Sequence, residues 1–321
     1  MAEFDLIRRL QQTICDPQAA WAPQCAIGIG DDAAVLDVPP DRQAVVCTDT
    51  LVEGVHFPPG TGAAAVGHKA LAVNLSDLAA MGAEPAWFFL ALTLPAADPE
   101  WLEPFAQGMA HLASEASIYL AGGDVAAGPL NICITAVGLV EHGCALTRGG
   151  AAPGDRIVVS GYPGAAARAL AAIQSGAKAD ERDRAALEFP RPRLRLGRAL
   201  RGQASACIDL SDGLLADLGH ILDASECGAE LELRRLPCAE SMLAVPERER
   251  WPWQLSGGDD YELCFTLPAQ RAERLDELRH ETGLALTAIG TVTEQPGLVL
   301  RAPDGSRYRP GSAGYEHFGG A

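Results

Sequence analysis

Aspartates recur in this chain after short apolar runs and beside small residues. Five segments share this form, and each presents one or two carboxylates: GIGDDAAVL (28–36), VVCTDT (45–50), YLAGGD (119–124), CIDLSDG (207–213) and LSGGDDYE (255–262). A sixth carboxylate, Asp77, lies in the helical stretch AVNLSDLAAMG, three residues after Asn74 and on the same helix face. Each segment alone is compatible with a helix cap or a turn. Together they place several carboxylates where burial is costly unless a cation compensates their charge.

Clustered aspartates favour a hard divalent cation, of which Mg²⁺ is the commonest. The nine cysteines are scattered and never spaced as Cys-x-x-Cys, which argues against a structural zinc site and a disulfide framework. Mg²⁺ held by a few carboxylates usually serves substrate phosphates. The glycines beside the acids suit this use, because they let backbone N–H groups approach phosphate oxygens.

Two segments imitate phosphate-binding loops without their chemistry. In GAAAVGHK (62–69), Lys69 does not directly follow the second glycine and no Ser or Thr follows it, unlike a Walker A loop. GIGDDA (28–33) fits a loose dinucleotide fingerprint but puts two carboxylates where a pyrophosphate would approach. The sequence also has no G-x-S-x-G nucleophile elbow.

The charge balance excludes several classes of partner. The 321 residues include 25 Lys and Arg against 42 Asp and Glu, a formal net charge of −17. Such a surface repels nucleic acid and anionic membranes, so we expect neither as a partner. The N-terminus has early acids and no apolar stretch typical of a signal peptide, which together with the scattered cysteines predicts a cytoplasmic protein.

Strands and helices alternate through both halves of the chain. Short apolar, often β-branched runs predict strands at 43–49, 87–94, 131–140, 155–161, 206–210, 261–267 and 284–292. Helical patterns cover 61–81, 163–175 and 211–227, with further candidates at 193–204 and 268–282. The mixture predicts an α/β or α+β fold. The glycine-rich segment near residues 141–154, with the sequence HGCALTRGGAAPGD (142–155), is typical of an interdomain connection, so we expect domains at 1–145 and 146–321.

The ordered set of motifs resembles the thiamine-monophosphate kinase family of the aminoimidazole-ribonucleotide-synthetase-like superfamily. The set comprises GIGDDAAVL, TDTLVEGVHF, KALAVNLSDLAAMGAEP, GGD, ALTRGGAAPGD, IDLSDGL and SGGDDYELCF, and the resemblance runs from about residue 4 to residue 318. It implies two α/β domains, with a homodimer formed through β-strands of the N-terminal domain. It also implies ATP-dependent, Mg²⁺-assisted transfer of a phosphoryl group directly to thiamine monophosphate, the last step of thiamine diphosphate biosynthesis.

The resemblance also implies roles for individual residues. Asp77 and Asp212 would be catalytic through metal ions, with no covalent nucleophile. Several Mg²⁺ ions would be held by Asp32, Cys47, Thr48, Asp49, Asp77, Asp124, Asp209 and Asp212. ATP would be contacted by Gly123, Asp124, Arg148 and Ser211, and thiamine monophosphate by His56, Asp259 and Tyr315. From the residues alone, His56 could equally hold its loop by a hydrogen bond, and Arg148 could be a surface side chain.

Three positions depart from the family pattern. Cys47 stands where relatives often have Ser or Thr, and a thiol is a poor Mg²⁺ ligand, so only its backbone carbonyl is a candidate. Asp259 stands where the family usually has Glu, which shortens the reach of the carboxylate. Tyr315 occupies a position that is Trp in some relatives, and an aromatic ring there can still stack on a thiamine ring.

Other functions fit parts of this pattern. Another ATP-using member of the superfamily would act on selenide or on aminoimidazole ribonucleotide precursors. Cys15 lacks the glycine-rich context of the selenide enzymes, and the chain ends in FGGA without the terminal Cys of hydrogenase-maturation carrier proteins. A Mg²⁺-dependent phosphohydrolase would release phosphate from ATP without an acceptor.

Overall fold

A computed structural model of the protein describes residues 3–271 and 273–315. The chain forms two compact units. The N-terminal unit comprises Met1–Leu78 and Ala83–Gly143, and the C-terminal unit comprises Ala79–Gly82 and Cys144–Ala321. The domain bounds at 145 and 146 stay a prediction, and residues 316–318 of the motif resemblance lie outside the described residues.

The N-terminal unit is built on a four-stranded sheet in the order β3-β6-β4-β5, in which β4 and β5 are parallel and the other neighbours antiparallel. Strands β1 and β2 pair separately. Its elements are α1 (Glu3–Ile14), β1 (Cys25–Ile27), β2 (Val35–Leu36), β3 (Arg42–Val52), α2 (Ala63–Ala80), β4 (Glu84–Leu94), α3 (Pro99–Ala116), β5 (Tyr119–Ala127) and β6 (Asn131–Glu141).

Helix α2 is central to this unit because it is apolar around most of its circumference. Its side chains Leu71, Leu75 and Leu78 are fully buried, as expected of a helix without a polar face. Helix α3 begins where Asp98 accepts a hydrogen bond from the Glu100 N–H and Pro99 takes the first helical position. These buried helices give the adjacent strands a rigid support.

The C-terminal unit contains a seven-stranded sheet in the order β13-β12-β9-β11-β7-β10-β8 among the described residues. Only the β9–β12 pair is parallel within it. The elements are β7 (Arg156–Ser160), α4 (Ala165–Gln174), α5 (Glu181–Glu188), α6 (Leu194–Leu200), β8 (Ala206–Asp209), α7 (Leu214–Ala224), β9 (Gly228–Glu232), α8 (Glu247–Ser256), β10 (Leu263–Leu267), α9 (Arg274–Thr282), β11 (Leu286–Thr293), β12 (Gly297–Arg301) and β13 (Arg307–Tyr308).

Apolar side chains cover both faces of the larger sheet. Ile157 and Val159 of β7 pack in a cluster with residues of α7 and α8, whereas Val158 packs with residues of α6 and α9. Successive side chains of a strand point to opposite faces, so β7 contributes to two cores. This explains why its sequence is apolar at every position from Ile157 to Val159 rather than alternating.

The expected mixture of helices and strands is confirmed, and each of the seven predicted strands overlaps a strand of the structure. The long predicted helices correspond to α2, α4 and α7, shortened at both ends. Strand β5 was not predicted, because its glycine pair obscures the strand pattern. Over the residues that the structure describes, no helix is long and apolar enough to cross a membrane.

Candidate active site

Asp32, Gly123 and Asp124 line one cavity of the N-terminal unit. Its volume is about 700 Å³. Its apolar wall includes Ile7 and Phe89. The GIGDD loop and the segment 122–124 add carboxylates and main-chain atoms to the lining. The cavity therefore combines an apolar surface with acidic groups inside one unit.

Gly123 is required where β5 passes β4. Its φ angle is +151°, and a Cβ atom there would lie 2.0 Å from the carbonyl oxygen of Leu90, its partner in the parallel ladder. Only glycine tolerates so close an approach. The approach sets the position of Asp124, the next residue, at the wall of the cavity.

Asp49 and Asp77 both face the thiol of Cys47. Burial raises the pKa of Cys47, and the negative charges of Asp77 and Asp49 raise it further. Burial also raises the pKa of Asp49. The thiol is thus a neutral S–H group, and it donates a hydrogen bond to the Asn74 carbonyl oxygen over 3.4 Å. Strand β3 and helix α2 therefore bring two of the predicted acids together around a group that is not a thiolate.

Thr48 points away from these acids. Side chains alternate along β3, with Cys47 and Asp49 half-buried and Thr48 exposed on the opposite face. Its hydroxyl lies 2.9 Å from the hydroxyl of Thr135 on β6. Thr48 can therefore contribute only main-chain atoms to a metal site that includes Asp49.

His56 is held in the loop that follows β3. Its Nδ1 accepts a hydrogen bond from the Val52 N–H at 3.0 Å, which places the proton of the neutral ring on Nε2. Lys69 of α2 donates from Nζ to the His56 carbonyl oxygen at 3.1 Å. The ring thus holds the loop through Nδ1.

In the C-terminal unit, Asp209 and Asp212 share their surroundings with a third carboxylate, Asp217 of α7. Burial raises the pKa of Asp217 to about 7, and the negative charges of Asp209 and Asp212 add to the shift. Sequence reasoning missed Asp217. The available signal was an acid inside the apolar face of a predicted helix, five residues after Asp212.

The backbone N–H groups of Ser211, Asp212 and Gly213 all donate to Asp217 Oδ2, at 3.1, 3.2 and 3.1 Å. The expectation that glycine-rich acidic turns leave their N–H groups for phosphate oxygens is wrong at this loop. A carboxylate from the same chain already occupies the position.

Three segments of the C-terminal unit meet at the 211–213 loop. The Asp259 N–H donates to the Ser211 carbonyl oxygen at 2.9 Å, and the Tyr315 N–H donates to the Asp212 carbonyl oxygen at 3.0 Å. The hydroxyl of Tyr261 donates to Asp259 Oδ1 at 3.1 Å. The structure thereby groups the four predicted residues Ser211, Asp212, Asp259 and Tyr315.

The backbone of the SGGDDYE segment adopts an uncommon conformation. Asp259 and Tyr261 have φ angles of +67° and +49°, which side-chain-bearing residues rarely adopt. Such conformations persist when surrounding contacts fix them, and they cluster at functional sites. Here Glu262 anchors the segment by accepting hydrogen bonds from Arg193 Nε at 2.6 Å and Ser160 Oγ at 2.5 Å.

Asp260 is the buried member of the pair in this segment. Its Oδ1 accepts a hydrogen bond from the Gly164 N–H at 2.8 Å, whereas Oδ2 has no hydrogen-bond partner among the described residues. Burial raises its pKa well above the usual value. Asp259 and Asp260 therefore differ: Asp259 joins the grouped residues, and Asp260 is fixed against α4.

Arg148 lies elsewhere in the C-terminal unit. Its side chain is exposed, and its carbonyl oxygen accepts from Ser225 Oγ at 3.4 Å. Ser225 follows the C-terminal end of α7, whereas Asp212 precedes its N-terminal end. An eleven-residue helix is about 16 Å long, so the Arg148 backbone is not part of the Asp212 group.

Carboxylate oxygens are the donors that Mg²⁺ prefers. In residues 3–271 and 273–315, no three His, Cys, Asp or Glu side chains are grouped so that they could hold a metal ion. Mg²⁺ that serves phosphates usually takes one or two carboxylates and completes its shell with phosphate and water. Carboxylates that could supply such a partial shell share their surroundings: Asp32 and Asp124 line one cavity, Asp49 and Asp77 both act on Cys47, and Asp209 and Asp212 both act on Asp217.

The sequence matches two family models that together span most of the chain. Residues 30–140 match the N-terminal domain of AIR synthase related proteins, and residues 152–302 match their C-terminal domain. The thiamine-monophosphate kinase of Escherichia coli strain K12 is 46% identical over 322 residues, with 98% of each chain covered.

Solved structures show the same similarity. The crystal structure of thiamine-monophosphate kinase from Stenotrophomonas maltophilia K279a has a TM-score of 0.87 and 44% identity, covering 96% of this chain and 98% of that one. AaThiL complexed with AMPPCP and TMP has a TM-score of 0.77 and 29% identity, covering 98% and 97%.

Proposed function

The chain belongs to the thiamine-monophosphate kinase family, and from this we propose that it transfers the γ-phosphoryl group of ATP to thiamine monophosphate, giving thiamine diphosphate and ADP. The similarity that carries the proposal spans nearly the whole of both chains at 46% identity. A structural relative, AaThiL, is complexed with AMPPCP, an ATP analogue, and TMP. The activity is that of a phosphotransferase with a phosphate group as acceptor.

The acceptor needs no general base in this reaction. The phosphate of thiamine monophosphate is already an anion at neutral pH, so the main obstacle is repulsion between two polyanions. Mg²⁺, when bound, neutralises charge on both phosphates and stabilises an in-line displacement. The chain has only to hold the two phosphates in line, and we assign no residue as a covalent nucleophile.

We assign the nucleotide to the N-terminal unit. Its cavity of about 700 Å³ offers an apolar wall that includes Ile7, Leu10 and Phe89, against which a base can pack. Gly123, Asp32 and Asp124 line the same cavity and would serve the phosphates and their metal. The other two proposed ATP contacts, Arg148 and Ser211, belong to the C-terminal unit and do not line this cavity.

We propose that acids of both units bind several Mg²⁺ ions. These carboxylates do not fix the number of ions. Asp77 and Asp212 act through these ions. Thr48 and Cys47 would contribute backbone carbonyl oxygens, because the hydroxyl of Thr48 pairs with Thr135 and the thiol of Cys47 is neutral. The proposed carboxylate ligands are Asp32, Asp49, Asp77, Asp124, Asp209 and Asp212.

We propose that His56, Asp259 and Tyr315 contact thiamine monophosphate. Its thiazolium ring is cationic, so the carboxylate of Asp259 favours it electrostatically. The Tyr315 ring is 49% exposed and can stack on an aromatic cation. His56 Nε2–H can donate to the phosphate.

The alternatives are less well supported. Selenide-type, aminoimidazole-ribonucleotide-type and hydrogenase-maturation functions each fit the fold, but the relatives at high identity and full coverage are thiamine-monophosphate kinases. A phosphohydrolase would release free phosphate from ATP alone and would form no thiamine diphosphate.

We also propose that the protein works in the cytoplasm as a homodimer. Its proposed co-substrate is ATP. The nine cysteines form no disulfides, which suits a reducing compartment. One face of β3 exposes a row of uncharged side chains, Ala44, Val46, Thr48 and Thr50. In a chain with 42 acids, an uncharged strand face is a good candidate for contact with a second copy.

The substitution Asp77→Asn tests the proposed chemistry. Loss of one negative oxygen from the Asp49–Asp77 pair should lower kcat at least about a hundredfold, because metal-assisted charge neutralisation contributes several kcal/mol. The measurement is ADP release that depends on thiamine monophosphate. Asp41→Asn, which removes an exposed carboxylate of the same unit, should leave kcat unchanged. Near-normal kcat in folded Asp77→Asn would refute the role of Asp77.

A further inference from the structure

Asp217 has an unusual place for a carboxylate inside a helix. It lies in the first turn of α7, is 2% exposed, and its Oδ2 accepts three consecutive backbone N–H groups from the loop before the helix. Three N–H groups directed at one point form an anion-binding concavity. In this protein the anion is supplied by the chain itself.

The contact orders the loop that joins three segments. Ser211 and Asp212 each give one N–H to Asp217, and their carbonyl oxygens accept from the N–H groups of Asp259 and Tyr315. One side chain therefore fixes the backbone to which both proposed substrate-contacting segments are bonded.

A helix start needs no buried carboxylate for its own sake. The usual cap is a Ser, Thr, Asn or Asp side chain at the residue before the helix, which can stay in contact with water. Here that residue is Gly213, which has no side chain. Asp217, a buried acid beside Asp209 and Asp212, accepts the N–H groups instead. A third carboxylate beside Asp209 and Asp212 is electrostatically unfavourable unless N–H donors or a cation compensate it. The charge at this position is better explained by the site than by the helix.

We propose that Asp217 is a positioning residue for phosphoryl transfer: by binding the N–H groups of residues 211–213, it holds Asp212 in place to receive Mg²⁺. Asp217 touches neither substrate nor metal in this role. The inference rests on the proposed function, since it assigns the purpose of the 211–213 loop within that reaction.

The test combines steady-state kinetics with amide hydrogen exchange. Thiamine diphosphate formation is measured over a range of Mg²⁺ concentrations for wild type, Asp217→Asn, Asp217→Ala and Asp223→Asn. Asp223 is an exposed acid of the same helix and serves as the matched control. We expect half-saturating Mg²⁺ to rise about tenfold in Asp217→Ala and less in Asp217→Asn, which keeps one acceptor oxygen, with no change in Asp223→Asn. A purely structural role would lower the folded fraction without moving half-saturating Mg²⁺.

Amide hydrogen exchange measures the hydrogen bonds to Asp217 directly and does not depend on catalytic activity. The amides of Ser211, Asp212 and Gly213 should exchange slowly in the wild-type protein without ligands and faster in Asp217→Asn. Unprotected wild-type amides overturn the proposal, as does wild-type Mg²⁺ dependence in folded Asp217→Asn and Asp217→Ala. If Asp217→Ala does not fold, Asp217→Asn and the wild-type exchange decide. A wild-type protein that makes no thiamine diphosphate but shows the protected amides refutes the proposed function and leaves the contact standing.

Discussion

Burial separates the carboxylates of the site into two kinds. Asp31 and Asp32 lie in an exposed loop, where water solvates their charge. Burial raises the pKa of Asp49 and of Asp260, whose charged forms lack that solvation. The buried acids need compensation from N–H donors or cations, whereas the exposed acids, Asp32 among them, do not.

Substitution of Cys47 tests whether its sulfur atom or its backbone carbonyl oxygen binds the metal. Its neutral thiol donates to the Asn74 carbonyl oxygen, and a serine hydroxyl can make the same bond. Cys47→Ser should therefore keep kcat and KM within about twofold, because the backbone carbonyl is unchanged and a thiol is a poor ligand for a hard cation. Asp49→Asn on the same strand is the contrasting variant and should lose activity. A tenfold loss in Cys47→Ser would show that the sulfur itself contributes.

Asp260 gives the stability a predictable pH dependence. An unfolded Asp ionises near 3.8, whereas folded Asp260 ionises well above that value. Between the two pKa values the folded state binds more protons than the unfolded state, so stability falls as pH rises. Asp260→Asn removes this contribution, and its free energy of unfolding relative to wild type should increase from pH 4 upward by at most about 1.4 kcal/mol per pH unit.

Urea denaturation at several pH values measures the effect of Asp260→Asn. Asp223→Asn, which removes an exposed carboxylate, should show no such trend relative to wild type. A difference between Asp260→Asn and wild type that is constant with pH contradicts the assignment of Asp260 as a buried acid with a raised pKa.

At the scale of elements, close packing of glycines places α2 and hence Asp77. A Cβ atom on Gly67 of α2 would lie 2.0 Å from the Phe105 carbonyl oxygen, and one on Gly108 of α3 would lie 2.0 Å from the Ala64 carbonyl oxygen. The two helices thus approach each other through reciprocal glycine contacts. Asp77 follows two to three turns farther along α2, so its position depends on this contact.

Gly108→Ala should destabilise the protein by about 1–3 kcal/mol, the usual cost of overpacking, despite the higher helix propensity of alanine. Gly219→Ala is the matched control, because Gly219 is also inside a helix but has nothing within 4 Å of its added Cβ. The control should be more stable than wild type by about 0.5–1 kcal/mol. Thermal melting measures both, and equal melting temperatures for the two variants would contradict the close approach of α2 and α3.

The sequence predicts elements better than the contacts between them. The apolar, often β-branched runs identify strands such as β3, β6 and β8. Asp124 lies within β5, which was not predicted because Gly122 and Gly123 conceal a strand that depends on pairing with β4. Asp217 was missed although an acid inside an apolar helix face was a signal, because residue types do not show that its partners are backbone N–H groups.

For the whole molecule, the net charge of −17 conceals an uneven distribution. The exposed face of β3 carries no charged side chain among Ala44, Val46, Thr48 and Thr50. The formal charge therefore overstates the working charge if Mg²⁺ is bound, and the uncharged strand face is the surface that we propose for self-association.

Val46, at 61% exposure, is the largest apolar side chain of that face. Light scattering after size-exclusion chromatography should give about twice the chain mass of 33.6 kDa for wild type. Val46→Asp should shift the mass toward one chain, because a buried unpaired charge opposes association. Leu243→Asp alters a side chain 65% exposed in the C-terminal unit and should leave the mass unchanged. A wild-type mass of one chain contradicts the homodimer.

The central claim is that a phosphoryl group passes from ATP to the phosphate of thiamine monophosphate. The direct measurement is incubation of the purified protein with ATP labelled in its γ-phosphate, Mg²⁺ and thiamine monophosphate, followed by separation of the products. We predict that the label appears in the terminal phosphate of thiamine diphosphate, with one ADP formed for each labelled product. Label found only in free phosphate, or label retained in ATP that the protein binds, would contradict the account.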